Sequence, residues 1–452
     1  MDSLLSPELF ARYADARIPR YTSYPTAPSF SPAVGEGEYR AWLGSLSSES
    51  ASLYLHIPFC RAMCWYCGCH TTVAARQAPR DRYVRALTQE IDLVAEQVGA
   101  PLTVGHVHFG GGTPTLVTAR QIREIVAGLR GRFSVAPDAE IAIEIDPRTL
   151  TAGMAEALGD CGFNRASLGV QSLDPSVQRA INRVQSFEET ESAVRLLRSN
   201  RIHSINLDLI YGLPNQTVAS CRDTVDQAVK LRPDRFAVFG YAHVPSFKPH
   251  QRRIDAAALP DSEVRFTHSR AITDTLVRAG YIQIGLDHFA LPDDPITLAS
   301  AAGRLHRNFQ GYTTDEADVL IGLGASAIGR VPQGYVQNQV RIPEYERLVA
   351  ARKLPIARGY RFTGDDRLRA TLIERLMCDN VVDVIEICRL FGADPAPLLA
   401  AAPLQSLSAD GLIELDDGRL TVMPQARPLI RSIAAAFDEH LQRGDDRYSR
   451  AV

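Results

Sequence analysis

Apolar and polar positions repeat along this chain at two different periods, and the two periods take turns. Residues 53–57, 104–109, 140–145, 165–170, 204–210 and 235–239 are apolar-rich runs of strand length. Between them the period lengthens to that of a helix. In residues 81–98, Val84, Leu87, Ile91, Val94 and Val98 recur at helical spacing and Gly99 ends the run. Thr118 with Gln121, and Ser186 with Glu189, read as capping boxes; the first opens a helix that buries Ile122, Ile125, Val126 and Leu129. Strands alternating with helices predict a parallel sheet. Six strands are fewer than the eight of a closed barrel, so an α/β fold built as a partial (β/α)6 barrel, open on one side, is expected.

The alternation stops near residue 355. Residues 365–375 and 382–391 read as helices, and two short β runs then meet across Asp417-Gly418, a strong two-residue hairpin signal. Helices followed by such a hairpin predict a smaller, mainly helical, winged-helix-like C-terminal domain. The expected division is therefore an N-terminal extension over 1–45 packing at the mouth of the barrel, the barrel and its extension over 46–354, and the C-terminal domain over 355–452. Winged-helix modules often bind DNA, but a formal net charge of −3 lacks the basic footprint that phosphates require. The module is read as a lid or packing domain over the barrel mouth.

Composition narrows the class further. With 45% hydrophobic and 22% charged residues the chain has the make-up of an ordinary soluble globular protein. Residues 1–21 contain no signal-peptide core, and no apolar run is long enough to span a bilayer. A cytoplasmic protein without a nucleic-acid partner is expected, with a monomer as the default because no long apolar seam is evident. Cys161, Cys221, Cys378 and Cys388 stand singly and read as small buried apolar residues.

The other four cysteines lie within ten residues, in Cys60-Arg-Ala-Met-Cys64-Trp-Tyr-Cys67-Gly-Cys69. Three closely spaced thiolates can hold an iron–sulfur cluster and leave one iron without a protein ligand, open to a small molecule. A structural zinc site favours two C-x-x-C pairs across a longer loop, and no second pair is present. A chain of 452 residues can also build a core without disulfide staples.

Strand ends supply the rest of the candidate chemistry, because ligands of parallel α/β folds gather at the C-terminal ends of strands. The cysteine loop follows one strand directly and Gly110-Gly-Gly-Thr-Pro-Thr115 follows the next. In residues 140–146, alternation turns Ile141, Ile143 and Ile145 toward helices and Glu144 toward the barrel interior. Asn206 and Asp208 share the face opposite Leu207 and Leu209, Gln171 ends its strand, and Arg183 follows soon after. An inward carboxylate is costly without a partner, so these groups mark either a ligand site or a structural ion-pair network.

The cysteine spacing resembles the radical S-adenosylmethionine (SAM) signature. Several further segments match one subfamily: residues 53–59, Cys69, the Gly110–Thr115 loop, and Arg20-Tyr-Thr-Ser-Tyr-Pro-Thr26. To these are added Asn206-Leu-Asp-Leu-Ile-Tyr-Gly-Leu-Pro214 and His306-Arg-Asn-Phe-Gln-Gly-Tyr-Thr-Thr314. Together they resemble the oxygen-independent coproporphyrinogen III oxidases. The resemblance implies a radical SAM partial barrel, a [4Fe-4S] cluster on Cys60, Cys64 and Cys67, and one SAM or two. By the same resemblance Tyr54, Tyr66, Glu144 and Ile328 match positions contacting the first SAM. Gly111, Gly112, Thr113, Gln171, Arg183, Asp208 and Ala242 match positions surrounding SAM, several of them associated with a second molecule. Cys69 matches a subfamily cysteine that is not a ligand, and it joins Phe309 and Gln310 as candidates near the reacting centre. The implied reaction uses a 5′-deoxyadenosyl radical from SAM to turn two propionates of coproporphyrinogen III into vinyl groups, giving protoporphyrinogen IX. A small reductase or flavodoxin-like protein is the implied electron donor. Arg20, Arg183 and Arg307 are the candidates for holding substrate carboxylates. A haem chaperone or a haem-modifying radical methyltransferase of the same superfamily remain alternatives; Cys69 and the Arg20–Thr26 segment favour the decarboxylase over the chaperone.

Overall fold

A computed structural model describes residues 6–47, 50–441 and 448. The six expected strands form in the expected order: β1 (Ser50–Ile57), β2 (Thr103–Gly111), β3 (Ser134–Ile145), β4 (Arg165–Gln171), β5 (Ser204–Tyr211) and β6 (Arg235–Gly240). Each is parallel to the next. The intervening helices are α1 (Gln77–Ala95), α2 (Ala119–Arg132), α3 (Ala152–Asp160), α4 (Phe187–Ser199) and α5 (Val218–Val229), and α6 (Ser262–Arg278) follows β6. Both expected capping boxes are present: Thr118 accepts from the Gln121 N–H at 3.2 Å, and Ser186 from that of Glu189 at 3.1 Å.

A seventh parallel strand, β7 (Val319–Leu323), joins the other side of β1 with Gly322 opposite Tyr54. The sequence hides it because Val-Leu-Ile-Gly-Leu is buried throughout and shows no alternation. An antiparallel meander, β8 (Ile328–Val331), β9 (Gly334–Asn338) and β10 (Ile356–Arg361), extends the sheet beyond β7. The other edge strand, β6, is capped by the antiparallel strand His288–Ala290. The two edges therefore never meet, and the barrel stays open. Residues 356–361 belong to this sheet by hydrogen bonding, although the alternation had already faded from the sequence at 355.

The apolar faces follow the pleat. Ile141, Ile143 and Ile145 join Leu53, Phe109 and Leu168 in the core against Leu87, Ile122 and Leu129 of the helices. A second core fills the C-terminal domain, where α7 (Asp366–Asp379) and α8 (Val384–Phe391) pack beside a small sheet of β11 (Val381–Asp383), β12 (Ile413–Asp416) and β13 (Arg419–Val422). The hairpin turns at Asp417 and Gly418 with φ of 45° and 79°, the left-handed pair that its two-residue turn requires. Ala14, Tyr21 and Tyr24 of the N-terminal segment are buried in this second core. Arg431 fixes the same segment, its guanidinium donating to the carbonyls of Pro19 at 3.0 Å and Ile18 at 2.7 Å. Cys161, Cys221, Cys378 and Cys388 are all buried, as small apolar residues would be.

Behind the seam between β1 and β7 sits an unforeseen carboxylate. Glu90, on the buried face of α1, is 1% exposed. It accepts hydrogen bonds from the Gly324 N–H at 2.7 Å, the Tyr345 hydroxyl at 2.6 Å and the Asn338 amide at 2.6 Å. Tyr83 continues the network, donating to the His56 carbonyl at 2.6 Å and accepting from the Ala325 N–H at 2.8 Å. Burial pushes the Glu90 carboxyl up from 4.5 to about 7 against the pull of these donors. The folded state thus holds its proton more tightly than the unfolded chain, and stability drains away as pH rises between those values. Glu90→Gln is expected to flatten that part of the pH–stability curve. Glu90→Ala, which strands buried donors, is expected to lose about 3 kcal/mol. Chemical denaturation at pH 5 and pH 8 checks both.

Candidate active site

The cysteine loop leaves the end of β1 and is fastened at every turn. The Gly112 and Thr113 N–H groups, just beyond β2, donate to the carbonyls of Ile57 at 2.9 Å and Phe59 at 2.7 Å. The Ala74 N–H returns to the Cys60 carbonyl at 3.1 Å, and the Trp65 N–H reaches the Ile181 carbonyl at 2.9 Å. A β-carbon on Gly112 would stand 2.6 Å from the Phe59 oxygen and 3.0 Å from the Cys60 sulfur. The glycines expected to admit a ligand therefore have a second purpose: they let the cysteine loop dock on β2.

Donors converge on the sulfurs. The Thr113 hydroxyl lies 3.9 Å from Cys60 Sγ, while Arg183 and Arg148 approach Cys64 Sγ at 3.6 and 3.9 Å. Arg183 also donates to the Gly169 carbonyl at 2.6 Å and pairs with Asp146 at 3.3 Å. Its guanidinium is engaged within the protein, as are those of the other two arginines considered for substrate carboxylates, Arg20 at the Gly240 carbonyl and Arg307 beside Asp287. Burial pushes the Cys60 thiol up to about 12. A hydrogen bond from the Cys69 thiol is the leading reason that Cys67 falls to about 6. The thiols of 60, 64 and 67 do not close to within 4.8 Å of one another as a group of three; among the described residues the group of three ligand side chains that does is Asp366, Glu439 and His440. Three spread thiols with N–H and O–H donors aimed at sulfur suit a larger multi-iron cluster better than zinc.

Beneath the loop the barrel interior is a polar cavity of about 130 Å³, lined in part by His108, Glu140, Glu144, Asp208 and Gln310. Glu144 accepts from the Gly111 N–H at 3.0 Å and lies 3.5 Å from His108 Nε2. Burial alone would raise its carboxyl, but His108 and that N–H hold it below the ordinary value. Asp208 moves the opposite way, to about 7, because burial and the neighbouring Glu144 charge outweigh its bonds from Ser167 and Asn206. Tyr54 donates to His56 Nδ1 at 3.0 Å and stacks on His108. It stands at the Gly110 backbone beside Glu144.

The comparisons with known proteins agree with this geometry. Residues 54–228 match the Radical SAM superfamily model, and residues 362–429 match that of the HemN C-terminal domain. The oxygen-independent coproporphyrinogen III oxidase of Bradyrhizobium diazoefficiens is 56% identical over 98% of this chain and 99% of its own length. The chain belongs to the oxygen-independent coproporphyrinogen III oxidase family. The Paracoccus denitrificans oxidase of that name is 41% identical over 94% of each chain. The solved coproporphyrinogen III oxidase (HemN) from Escherichia coli, described as a radical SAM enzyme, superposes with a TM-score of 0.89 at 39% identity, covering 93% of this chain and 98% of that one.

The remaining candidates are spread around the same mouth. Tyr66 lies beside Cys64 and Arg183, packed on an apolar group that includes Leu213, Tyr241 and Ile254. Ile328 abuts Gly322, which is opposite Tyr54. Gln171 ends β4 with φ of 70° and crowds Gly169 together with Arg183. Phe309 packs edge-on against Tyr335, farther out than Gln310, which lines the cavity. Two important residues gave no sequence signal. Gln251 is 0% exposed and binds the Tyr66 and Ala242 carbonyls at 3.0 and 3.1 Å and the Val244 N–H at 2.6 Å, tying the cysteine loop to the segment after β6. Asp287 meets His288 at 2.8 Å and Arg307 at 3.7 Å; although burial opposes ionisation, Arg307, His288 and Arg20 hold it at about 2. Gly112→Ala is expected to displace the cysteine loop, and iron and sulfide content after anaerobic reconstitution, falling well below that of the parent protein, is the check.

Proposed function

We propose that this chain catalyses the oxygen-independent oxidative decarboxylation of two propionates of coproporphyrinogen III to vinyl groups, giving protoporphyrinogen IX. The observation that carries the reading is the three-thiol loop, with donors on its sulfurs, set over a polar barrel cavity in a chain that aligns end to end with oxidases of this name. Cys60, Cys64 and Cys67 would hold a [4Fe-4S] cluster. Tyr54, Tyr66, Gly111, Gly112, Thr113, Glu144, Gln171, Arg183, Asp208, Ala242 and Ile328 would hold SAM, with room for a second molecule left open. Bound together, these groups supply one-electron cleavage of a C–S bond and a carbon radical able to take a hydrogen atom. Each propionate then gives up one β-hydrogen atom, one electron and CO2.

The side chains of this protein do the positioning. Glu144, kept ionised by His108 and the Gly111 N–H, offers its carboxylate to a cationic amino group. Asp208, close to half protonated near neutral pH, can donate or accept toward a hydroxyl. Arg20, whose guanidinium donates to the Gly240 carbonyl at 3.2 Å, and Arg307, whose charge lies 4.4 Å over the Tyr312 ring, face Asp287 from two sides. They would anchor substrate carboxylates. Gln310 lines the cavity, Phe309 of the same hairpin packs against Tyr335, and Cys69 is hydrogen-bonded to Cys67; these are the groups we place near the reacting centre. An acidic or flavin-bearing small reductase would deliver the electron, and a monomeric chain suffices for every group named. Among the described residues no helix is long and apolar enough to cross a membrane.

Anaerobically reconstituted protein given coproporphyrinogen III, SAM, a strong reductant and an electron acceptor is expected to lose two CO2 per substrate and release 5′-deoxyadenosine, both read by mass spectrometry. SAM cleavage with untouched substrate would sink the decarboxylase reading and leave the cluster intact. Arg20→Ala, which removes one charge-assisted contact worth roughly 1.5–3 kcal/mol, is expected to raise KM for the porphyrinogen about tenfold or more. Substrate-free SAM cleavage should be unaffected; an unchanged KM would take Arg20 out of the binding site.

A further inference from the structure

Charge is distributed around the cysteine loop in a way that the barrel interior does not require. Residues 55–80, 175–187 and 235–254 contain nine lysines and arginines and no aspartate or glutamate, in a chain with 52 acidic residues and a net charge of −3; two of the nine, Arg183 and Arg235, are buried in ion pairs with Asp146 and Asp294, which leaves seven. The fold brings these three stretches together. The first is the cysteine loop itself. The second touches it through the Asn182 amide, which donates to the Met63 carbonyl at 2.9 Å, and through Ile181, which receives the Trp65 N–H. The third touches it through His250 at the Cys67 carbonyl, 2.7 Å, and Lys248 at that of Cys69, 3.0 Å.

The outer side of this assembly faces solvent. Arg61, Arg179, Arg252 and Arg253 are exposed, and none forms an ion pair among the described residues. The same three stretches carry three exposed apolar side chains: Val184 (66%), Phe247 (53%) beside Lys248 in the chain, and Val73 (46%), on the strand paired with Cys60. A solvated basic face would not need these, whereas a protein interface combines an apolar centre with a charged rim. The site chemistry needs one electron from outside, and Cys64 is a buried thiol between Met63 and Trp65, the two residues through which the second stretch touches the loop.

We infer that the outer face of the cysteine loop is the docking surface for an acidic one-electron carrier protein. This rests on reading the loop as the cluster loop. In the exchange one electron leaves the carrier's flavin hydroquinone, which becomes the semiquinone and releases a proton to solvent. The same electron enters the cluster, whose charge falls by one. The basic rim steers and orients the carrier, and the apolar centre brings the redox groups close.

The test uses reconstituted full-length protein and the double variant Arg252→Glu/Arg253→Glu, with Arg179→Glu as an independent change on the other flank. A flavodoxin in its hydroquinone form is the probe. Its Kd is measured by calorimetry at low and high salt, and cluster reduction is followed by electron paramagnetic resonance, with dithionite as a small reductant that needs no docking. Expected are a Kd weakened about tenfold or more at low salt, a matching loss of flavodoxin-driven reduction, and unchanged iron content and dithionite-driven reduction. Unchanged flavodoxin affinity and rate in both variants would overturn the proposal. So would duplex DNA binding this face, with the same charge dependence, where flavodoxin does not. Parent protein that retains no iron would instead overturn the cluster reading beneath it, and failure to decarboxylate with dithionite present leaves the docking result standing.

Discussion

Gly112 lies against the Phe59 carbonyl and the Cys60 sulfur at a separation that leaves no space for a β-carbon, and the mouth of this barrel is organised by that contact. Because the two backbones touch, the N–H groups of Gly112 and Thr113 can bind the chain entering the cysteine loop, and the Thr113 hydroxyl can reach Cys60. Because that end of the loop is fixed, Cys64 falls within reach of Arg183 and Arg148, which are themselves anchored on Asp146, the residue just after β3. The glycine run also passes the Gly111 N–H to Glu144. One close approach thus sets the positions of the sulfurs and of the leading carboxylate in the cavity.

The cavity carries ionisable groups that a packed barrel would replace with aliphatic side chains. Their cost is met unevenly. Glu140 is buried, yet Arg165, Arg235 and His106 hold it at about 2, so it is a settled ion-pair member. Glu144 has weaker support from His108 and one N–H, and Asp208 has only neutral donors and is driven to about 7. Support therefore falls from the floor of the barrel toward its mouth. That gradient separates a structural carboxylate from two that retain bonding capacity, a distinction that the inward direction of all three does not make.

Much of this was legible along the chain, and what was not has identifiable causes. The alternation in 140–146 was enough to place Glu144 inside, and the same rule placed Asn206 and Asp208. β7 escaped because a strand buried on both faces shows no period. Glu90 escaped because a carboxylate on a helix normally marks the solvent side, and here it faces three donors contributed by segments more than two hundred residues away. Gln251 lies in a five-residue 3-10 helix and Asp287 in a turn, both too short to show a period, so only tertiary contact assigns a role. Arg183 shows the converse: its place near the mouth was readable, but whether its guanidinium was free or committed depended on Asp146, just after β3, and Gly169 of β4.

The segments that carry Arg20 and Arg307 are held by the C-terminal domain. Residues 14–24 bridge the two parts: Asp15 accepts from the Ser262 hydroxyl at 2.5 Å at the start of α6, while Ala14, Tyr21 and Tyr24 are buried in the C-terminal core and Tyr21 donates to Asp438 at 2.9 Å. The C-terminal domain, through Arg431, thereby holds the peptide that carries Arg20, while Arg20 itself reaches back to the end of β6. From the same domain Glu374 binds the Arg307 N–H at 3.0 Å and His306 at 3.2 Å, fixing the hairpin that carries Arg307, Phe309 and Gln310. Both arginines at the mouth are thus positioned by a domain with no part in the cysteine loop. A winged-helix-like module with no basic footprint is explained by this geometry: its contacts hold the segments that carry Arg20 and Arg307.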